Sequence, residues 1–237
     1  MKKYFPYSIV YILILGLFSC RSIYTPTTPN VPLFQNRNEF QFESSIFTNG
    51  INAKIAYSPI KHIGVLLNGQ SSYSGQYEKP QYHYYSDGAI GYYLNINKNH
   101  VGEIYFGYGS GESNFGDPFN GSEYELTIAK GYYDKLYSQI NWGFLSKKGN
   151  VFGASVRIAD VRYTYIHTPN FGWLNGNTYS HFSAEPYFYF KLKMTKYLSI
   201  VNYFGLTLIT GNHKTIRTNL LNCGTGIRLN IGQKIEK

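Results

Sequence analysis

Cysteine is scarce in the 237 residues: Cys20 and Cys223 are too few for a disulfide-rich scaffold or a four-ligand zinc site. Charge is thin too, at 15%, against the roughly 25–35% that suits a soluble surface. After residue 20 no stretch approaches the roughly 18 consecutive apolar residues of a membrane helix. Acids are outnumbered, 13 to 22, for a formal net charge of +9. The bases lie scattered and no nucleic-acid motif accompanies them, so no nucleic-acid partner is expected. Nor is any cofactor or metal implied by a motif. What abounds is Tyr (25), Phe (16) and Gly (24). That aromatic load excludes disorder, and these poor helix formers argue against a helical enzyme.

Lys2 and Lys3 open a short basic region, residues 7–18 are apolar, and Ser19-Cys20 follows. Basic start, apolar run and small residue describe a secretory signal. The ending Leu17-Phe18-Ser19-Cys20 resembles a bacterial lipobox, which implies cleavage after residue 19 and lipid on Cys20. A plain signal peptide or a single N-terminal anchor is the alternative. Residues 20–37 hold three of the nine prolines and no alternation, and read as an extended linker between lipid anchor and domain.

From residue 38 to the end the chain alternates with period two, the mark of strands with two unlike faces. Ten strands are predicted, near 38–48, 51–58, 62–74, 82–97, 100–113, 133–146, 151–166, 180–193, 198–210 and 220–232. Short connections at 58–61, 97–99, 147–150 and 194–197 alternate with long ones near 75–81, 114–132, 167–179 and 211–219. Short turns on one side and long loops on the other predict an all-β fold, an antiparallel up-and-down transmembrane β-barrel of about ten strands, with 8–12 as the range. Asn49-Gly50 is a strong hairpin signal. With those two as the loop, Thr48 opposes Ile51, Ser45 opposes Lys54, and Glu43 is the diagonal neighbour of Lys54.

A soluble barrel hides its apolar face and a membrane barrel exposes it. Low charge, and aromatics near strand ends such as Phe42, Tyr57, Trp142 and Phe188, favour the membrane form. The polar face then lines the lumen, where Glu39, Glu43, Glu103 and Glu185 meet Lys54, Arg157, Lys191 and Arg228. Four acids against four bases read as a self-neutralising plug, since lone charges in a narrow barrel are costly. Pro186 sits mid-strand, where the missing donor calls for a bulge.

Asn30-Val31-Pro32, Glu39-Phe40-Gln41, Thr48-Asn49-Gly50-Ile51-Asn52, Ala56-Tyr57, His62-Ile63-Gly64-Val65, Asn68-Gly69 and Gly107-Tyr108-Gly109 resemble a widespread group of Gram-negative outer-membrane β-barrel proteins, many with a lipoprotein signal. The resemblance implies an exported barrel in the cell outer membrane, lipid-anchored and integral, and offers no catalytic residues to carry over. Its expected partners are outer-membrane lipids and lipopolysaccharide, and an extracellular or envelope protein bound through loops. Phe115, Phe119, Phe171 and Trp173 stand among turn residues as candidate loop contacts. The expected role is therefore structural or loop-mediated, with a filled lumen and no catalysis. The alternative is an outer-membrane enzyme, an omptin-type protease or lipid A-modifying barrel, with His83, Asp87 and His181 near the outer rim. His83 and Asp87 lie about 13 Å apart along one strand, too far for a direct pair.

Overall fold

A computed structural model describes residues 24–48, 50–76, 79–116, 128–167, 179–210 and 221–232. The alternating segments are strands: β1 (Phe40–Phe47), β2 (Gly50–Ile60), β3 (Ile63–Gln76), β4 (Lys79–Asn95), β5 (His100–Gly116), β6 (Ile128–Leu145), β7 (Val151–His167), β8 (Tyr179–Lys193), β9 (Leu198–Leu206), β10 (Leu208–Thr210) and β11 (Leu221–Ile231). Each pairs antiparallel with its sequence neighbour up to β8, β9 pairs with both β8 and β11, and β11 pairs with β1. The ring closes. β9 and β10 are one stave interrupted at Thr207, so the barrel has ten strands, as the alternation predicts. Among the described residues no helix is long and apolar enough to cross a membrane.

The interruption at Thr207 has its cause on β8. Tyr187 pairs with Gly205 and Ala184 with Leu208, leaving Glu185 and Pro186 opposite Leu206 and Thr207. Pro186 has no N–H to donate, and the ladder lapses without a shift of register. On its other side Pro186 pairs with Val156 in an unbroken run. The bulge expected at Pro186 is therefore absent. A register shift occurs on β7 instead, where Tyr132 and Tyr133 face Tyr165 and Tyr163 and leave Thr164 over.

The first hairpin is also corrected. Phe47 pairs with Gly50, two residues away from the expected register, and Glu43 stands directly opposite Lys54. A slip of two preserves the side-chain alternation, so the face pattern could not reveal it. Gly50 has φ +132°, a conformation that glycine alone adopts cheaply.

Polarity is inverted, with the apolar face outward. Ile46, Phe106, Leu136 and Phe188 are 60–69% exposed, while Glu43, Lys54, Arg157, Glu185 and Arg228 are no more than 2% exposed. A belt of exposed aliphatics around a charged interior is stable only with lipid outside. Trp142 stacks on His100 at 5.3 Å and Tyr92 on His62 at 5.3 Å, forming an aromatic rim at the short-turn end. Toward the long-loop end the outer wall turns polar: Lys130 pairs with Glu112 at 2.9 Å, and Arg162 with Asp160 at 2.7 Å. Strands β4 to β7 have 17–18 residues, well beyond the roughly 9–11 a crossing needs. The surplus carries this polar belt clear of the apolar band.

The abundance of Tyr and Gly has one shared explanation. Gly91, Gly107, Gly111, Gly153 and Gly205 stand directly across from Tyr105, Tyr137, Tyr133, Tyr189 and Tyr187. A Cβ at any of these glycines would overlap the facing ring. Each buried tyrosine lies flat across a neighbouring strand, filling lumen and covering backbone together.

The largest correction concerns residues 24–37. Residues 24–34 are extended, but they are buried inside the barrel, and the chain turns out of it over 35–38. Tyr24, Val31, Leu33 and Phe34 are at most 2% exposed. Phe34 lies beside Tyr93, near the short-turn end of β4, whereas Tyr24 lies beside Tyr133 and His181, in the long-loop half. The chain thus descends the lumen from Tyr24 and leaves it to begin β1. Apolar side chains make the difference: a solvated linker has no use for Tyr24, Val31, Leu33 and Phe34, and burying them inside favours occupancy.

Candidate functional site: the occupied lumen

The lumen is built from inward-facing polar residues that bind the backbone of residues 27–34. Arg157 Nη1 donates to Thr27 Oγ1 at 2.6 Å, and Lys54 Nζ to the Pro29 carbonyl at 3.1 Å. Gln139 Nε2 donates to Asn30 O at 2.7 Å, Arg228 Nη1 to Val31 O at 2.8 Å, and Gln41 Nε2 to Pro32 O at 3.0 Å. Glu103 accepts the Phe34 N–H at 2.9 Å. An extended segment inside a barrel has no ladder partner, so side chains of the wall must satisfy its backbone groups. Leu33 takes φ +53°, uncommon for its type, and its side chain fits where Gly143 lacks a Cβ.

Two ion-pair nodes anchor this arrangement. At the seam between β1, β2 and β11, Glu43 receives Lys54 at 2.9 Å, Arg228 at 2.6 Å and the Tyr203 hydroxyl at 2.7 Å. Across the lumen Glu185 receives Lys135 at 3.1 Å, the Tyr24 hydroxyl at 2.5 Å and Ser183 Oγ at 3.2 Å. Arg157 stands 3.7 Å from the same carboxylate and directs its Nη2 and Nε to Gln139 Oε1. Hydrogen bonds around each charge make burial tolerable, as an unpaired charge would not be.

The eight residues expected to form one charge cluster divide as follows. Glu43, Lys54 and Arg228 form the seam node, and Glu185 with Arg157 belongs to the second. Glu103 is held by amides, from Phe34 N and from Asn141 Nδ2 at 2.9 Å. Glu39 Oε1 accepts Asn36 N at 2.8 Å and its side-chain amide at 3.1 Å. Lys191 is buried, and no ion pair or hydrogen bond among the described residues engages it. Lys135 and Tyr24 were missed: Lys135 shares the inward face of β6 but was not counted there, and Tyr24 was assigned to a linker.

The rim residues considered for catalysis do not converge. His83 Nε2 bonds the Tyr133 hydroxyl at 2.6 Å. Asp87 accepts Asn68 Nδ2, and Tyr137 OH at 2.7 Å. His181 stacks on Tyr163 at 5.8 Å, and neither ring nitrogen has a partner among the described residues. Among the described residues no three His, Cys, Asp or Glu side chains gather closely enough to hold a metal ion. Of the candidate loop contacts, Phe115 pairs through its backbone with Ala129 on β6, while its side chain lies outside the described set. Phe119, Phe171, Trp173 and Cys20 lie outside the described residues altogether.

No protein-family model matches this chain, and no curated protein matches it. A solved structure described as "KdgM porin" is similar with a TM-score of 0.38 and 9% sequence identity, over 81% of this chain and 98% of that one. The likeness is to the course of an antiparallel barrel, and nothing of that protein's activity follows from it.

Proposed function

We propose that this protein is an outer-membrane barrel closed by its own N-terminal segment, with a structural or loop-mediated binding role in the cell envelope. The observation that carries this reading is the lumen itself, filled by residues 24–36 and stitched to wall residues from six strands. Among the described residues the segment and the side chains that bind it occupy the lumen, and open-pore function does not fit that filling. The polar outer belt at Glu112, Lys130, Asp160 and Arg162 supports an orientation with the long loops outside and the short turns in the periplasm. Lipopolysaccharide and an envelope protein remain the partners we propose for the long-loop side, and Cys20 the lipidated residue. Conductance in planar bilayers tests the closure. The full protein should be silent, and deleting residues 24–34 should open a steady channel. An open full-length protein would refute the reading. Protease added to intact cells should cleave within 117–127 or 168–178 and spare 147–150; the reverse would invert the orientation.

A further inference from the structure

The short-turn mouth of the barrel holds a cavity of about 750 Å³ that the closed lumen leaves open below the N-terminal segment. Five lysines line it, Lys98, Lys147, Lys191, Lys193 and Lys196, and among the described residues no carboxylate does. Gln35 and Asn36 of the N-terminal segment are part of its lining. Like charges gathered in one concave mouth with low-dielectric walls raise the local concentration of anions.

Lys191 makes this more than a collection of surface lysines. It is 3% exposed, faces the cavity, and has no ion pair or hydrogen bond among the described residues. The nearby carboxylate of Glu39 is turned to the backbone N–H groups of Gln35 and Asn36, at 3.3 and 2.8 Å. Asn230, 4% exposed and also lining the cavity, gives its amide nitrogen to Ser199 Oγ at 3.3 Å. A buried ammonium whose nearby carboxylate is hydrogen-bonded elsewhere is poorly compensated, and an anion entering from the mouth would relieve that cost.

We infer that this mouth binds a small, soluble, multivalent anion bearing phosphate or carboxylate groups. The volume lies within the usual range for a small-molecule pocket, about 300–1,000 Å³. Its lining comes from three short turns, the ends of β8, β9 and β11 and the N-terminal segment, so it opens at the mouth and not on the outward apolar wall. The compartment the ligand comes from rests on the orientation proposed above, and the binding itself does not.

The test is calorimetric titration of the detergent-solubilised full chain with pyrophosphate. The full chain should bind, with affinity falling as salt rises. Lys191→Met should weaken binding about tenfold or more, the loss expected for one charge-assisted bond. Lys148→Gln, at an exposed lysine next to Lys147 that does not line the cavity, should leave it unchanged. Should Lys191→Met fail to give folded barrel, Lys98→Gln/Lys147→Gln/Lys196→Gln, all exposed, should show a comparable loss. Absence of binding, or equal weakening by Lys148→Gln, would overturn the proposal. So would loss of pyrophosphate binding in phosphatidylglycerol nanodiscs but not in phosphatidylcholine ones, which would assign the site to lipid headgroups. Binding measured in detergent does not depend on orientation or conductance, so its failure is separable from theirs.

Discussion

Replacing Glu43 with Gln should strike the barrel at its closing seam. Glu43 and Arg228 are directly paired across β1 and β11, and Glu43 and Lys54 across β1 and β2. The carboxylate accepts from Lys54 at 2.9 Å, from Arg228 Nη2 and Nε at 2.6 and 2.9 Å, and from Tyr203 at 2.7 Å. All four side chains are within 3% of complete burial. Gln keeps one acceptor oxygen, adds two donors where donors already crowd, and leaves two cations without a counter-charge. Breaking one member of a buried pair costs about 3–5 kcal/mol. For a chain of this size that corresponds to roughly 6–20 °C in thermal midpoint. The assay is the temperature at which the detergent-solubilised barrel loses its heat-modifiable gel mobility. Arg228→Met added to Glu43→Gln should recover part of the loss, because one stranded charge is gone. The coupling should fall in the range of about 0.5–3 kcal/mol typical of contacting residues. Additive, independent losses would show that the seam is not held by this node.

Three further outcomes are expected. Gly153→Val should destabilise by about 1–3 kcal/mol through overlap with the Tyr189 ring, and Tyr189→Ala in the same background should recover part of it, read by the same thermal assay. Burial lifts the Glu39 carboxyl from 4.5 to about 7, against the pull of Asn36, the Gln35 N–H and the Lys191 charge. Since the folded chain holds a proton that the unfolded chain has released, this contribution is full below about pH 4.5 and is lost as pH rises through about 7. Glu39→Gln should flatten the stability profile across that window; an unchanged slope would place the titration elsewhere. Cys20→Ala should block maturation and leave a larger precursor on a gel, and normal processing would remove the lipobox proposal.

Much of the barrel could be read from the chain because period-two patterning repeats over every strand. Strand ends fell within a few residues, and the lumen face of β1, β2, β8 and β11 was identified correctly. What patterning cannot resolve is a slip by two, which is why the Asn49-Gly50 hairpin was misplaced while its faces were right. The Pro186 expectation failed for a different reason: a missing donor can lapse within the ladder as readily as it can be bulged around. The N-terminal segment was misread because proline content says extended and says nothing about what surrounds it. Its apolar residues were the available signal. Of the lysines at the mouth only Lys191 is legible as lumen-facing; their grouping is not, since they come from three separate turns and one strand end that only the closed ring brings together.

The bonds that close the seam and the bonds that hold the N-terminal segment belong to the same side chains. Arg228 gives Nη2 to Glu43 and Nη1 to Val31 O, and Lys54 gives its ammonium to Glu43 and to Pro29 O. Insertion and closure are therefore energetically coupled. A ring closed without the segment would still join Glu43 to Arg228, but Lys54 would lose one of its two hydrogen bonds and Arg228 one of its five. Residues 24–34 thus brace the seam from within, as a form braces the staves bent around it.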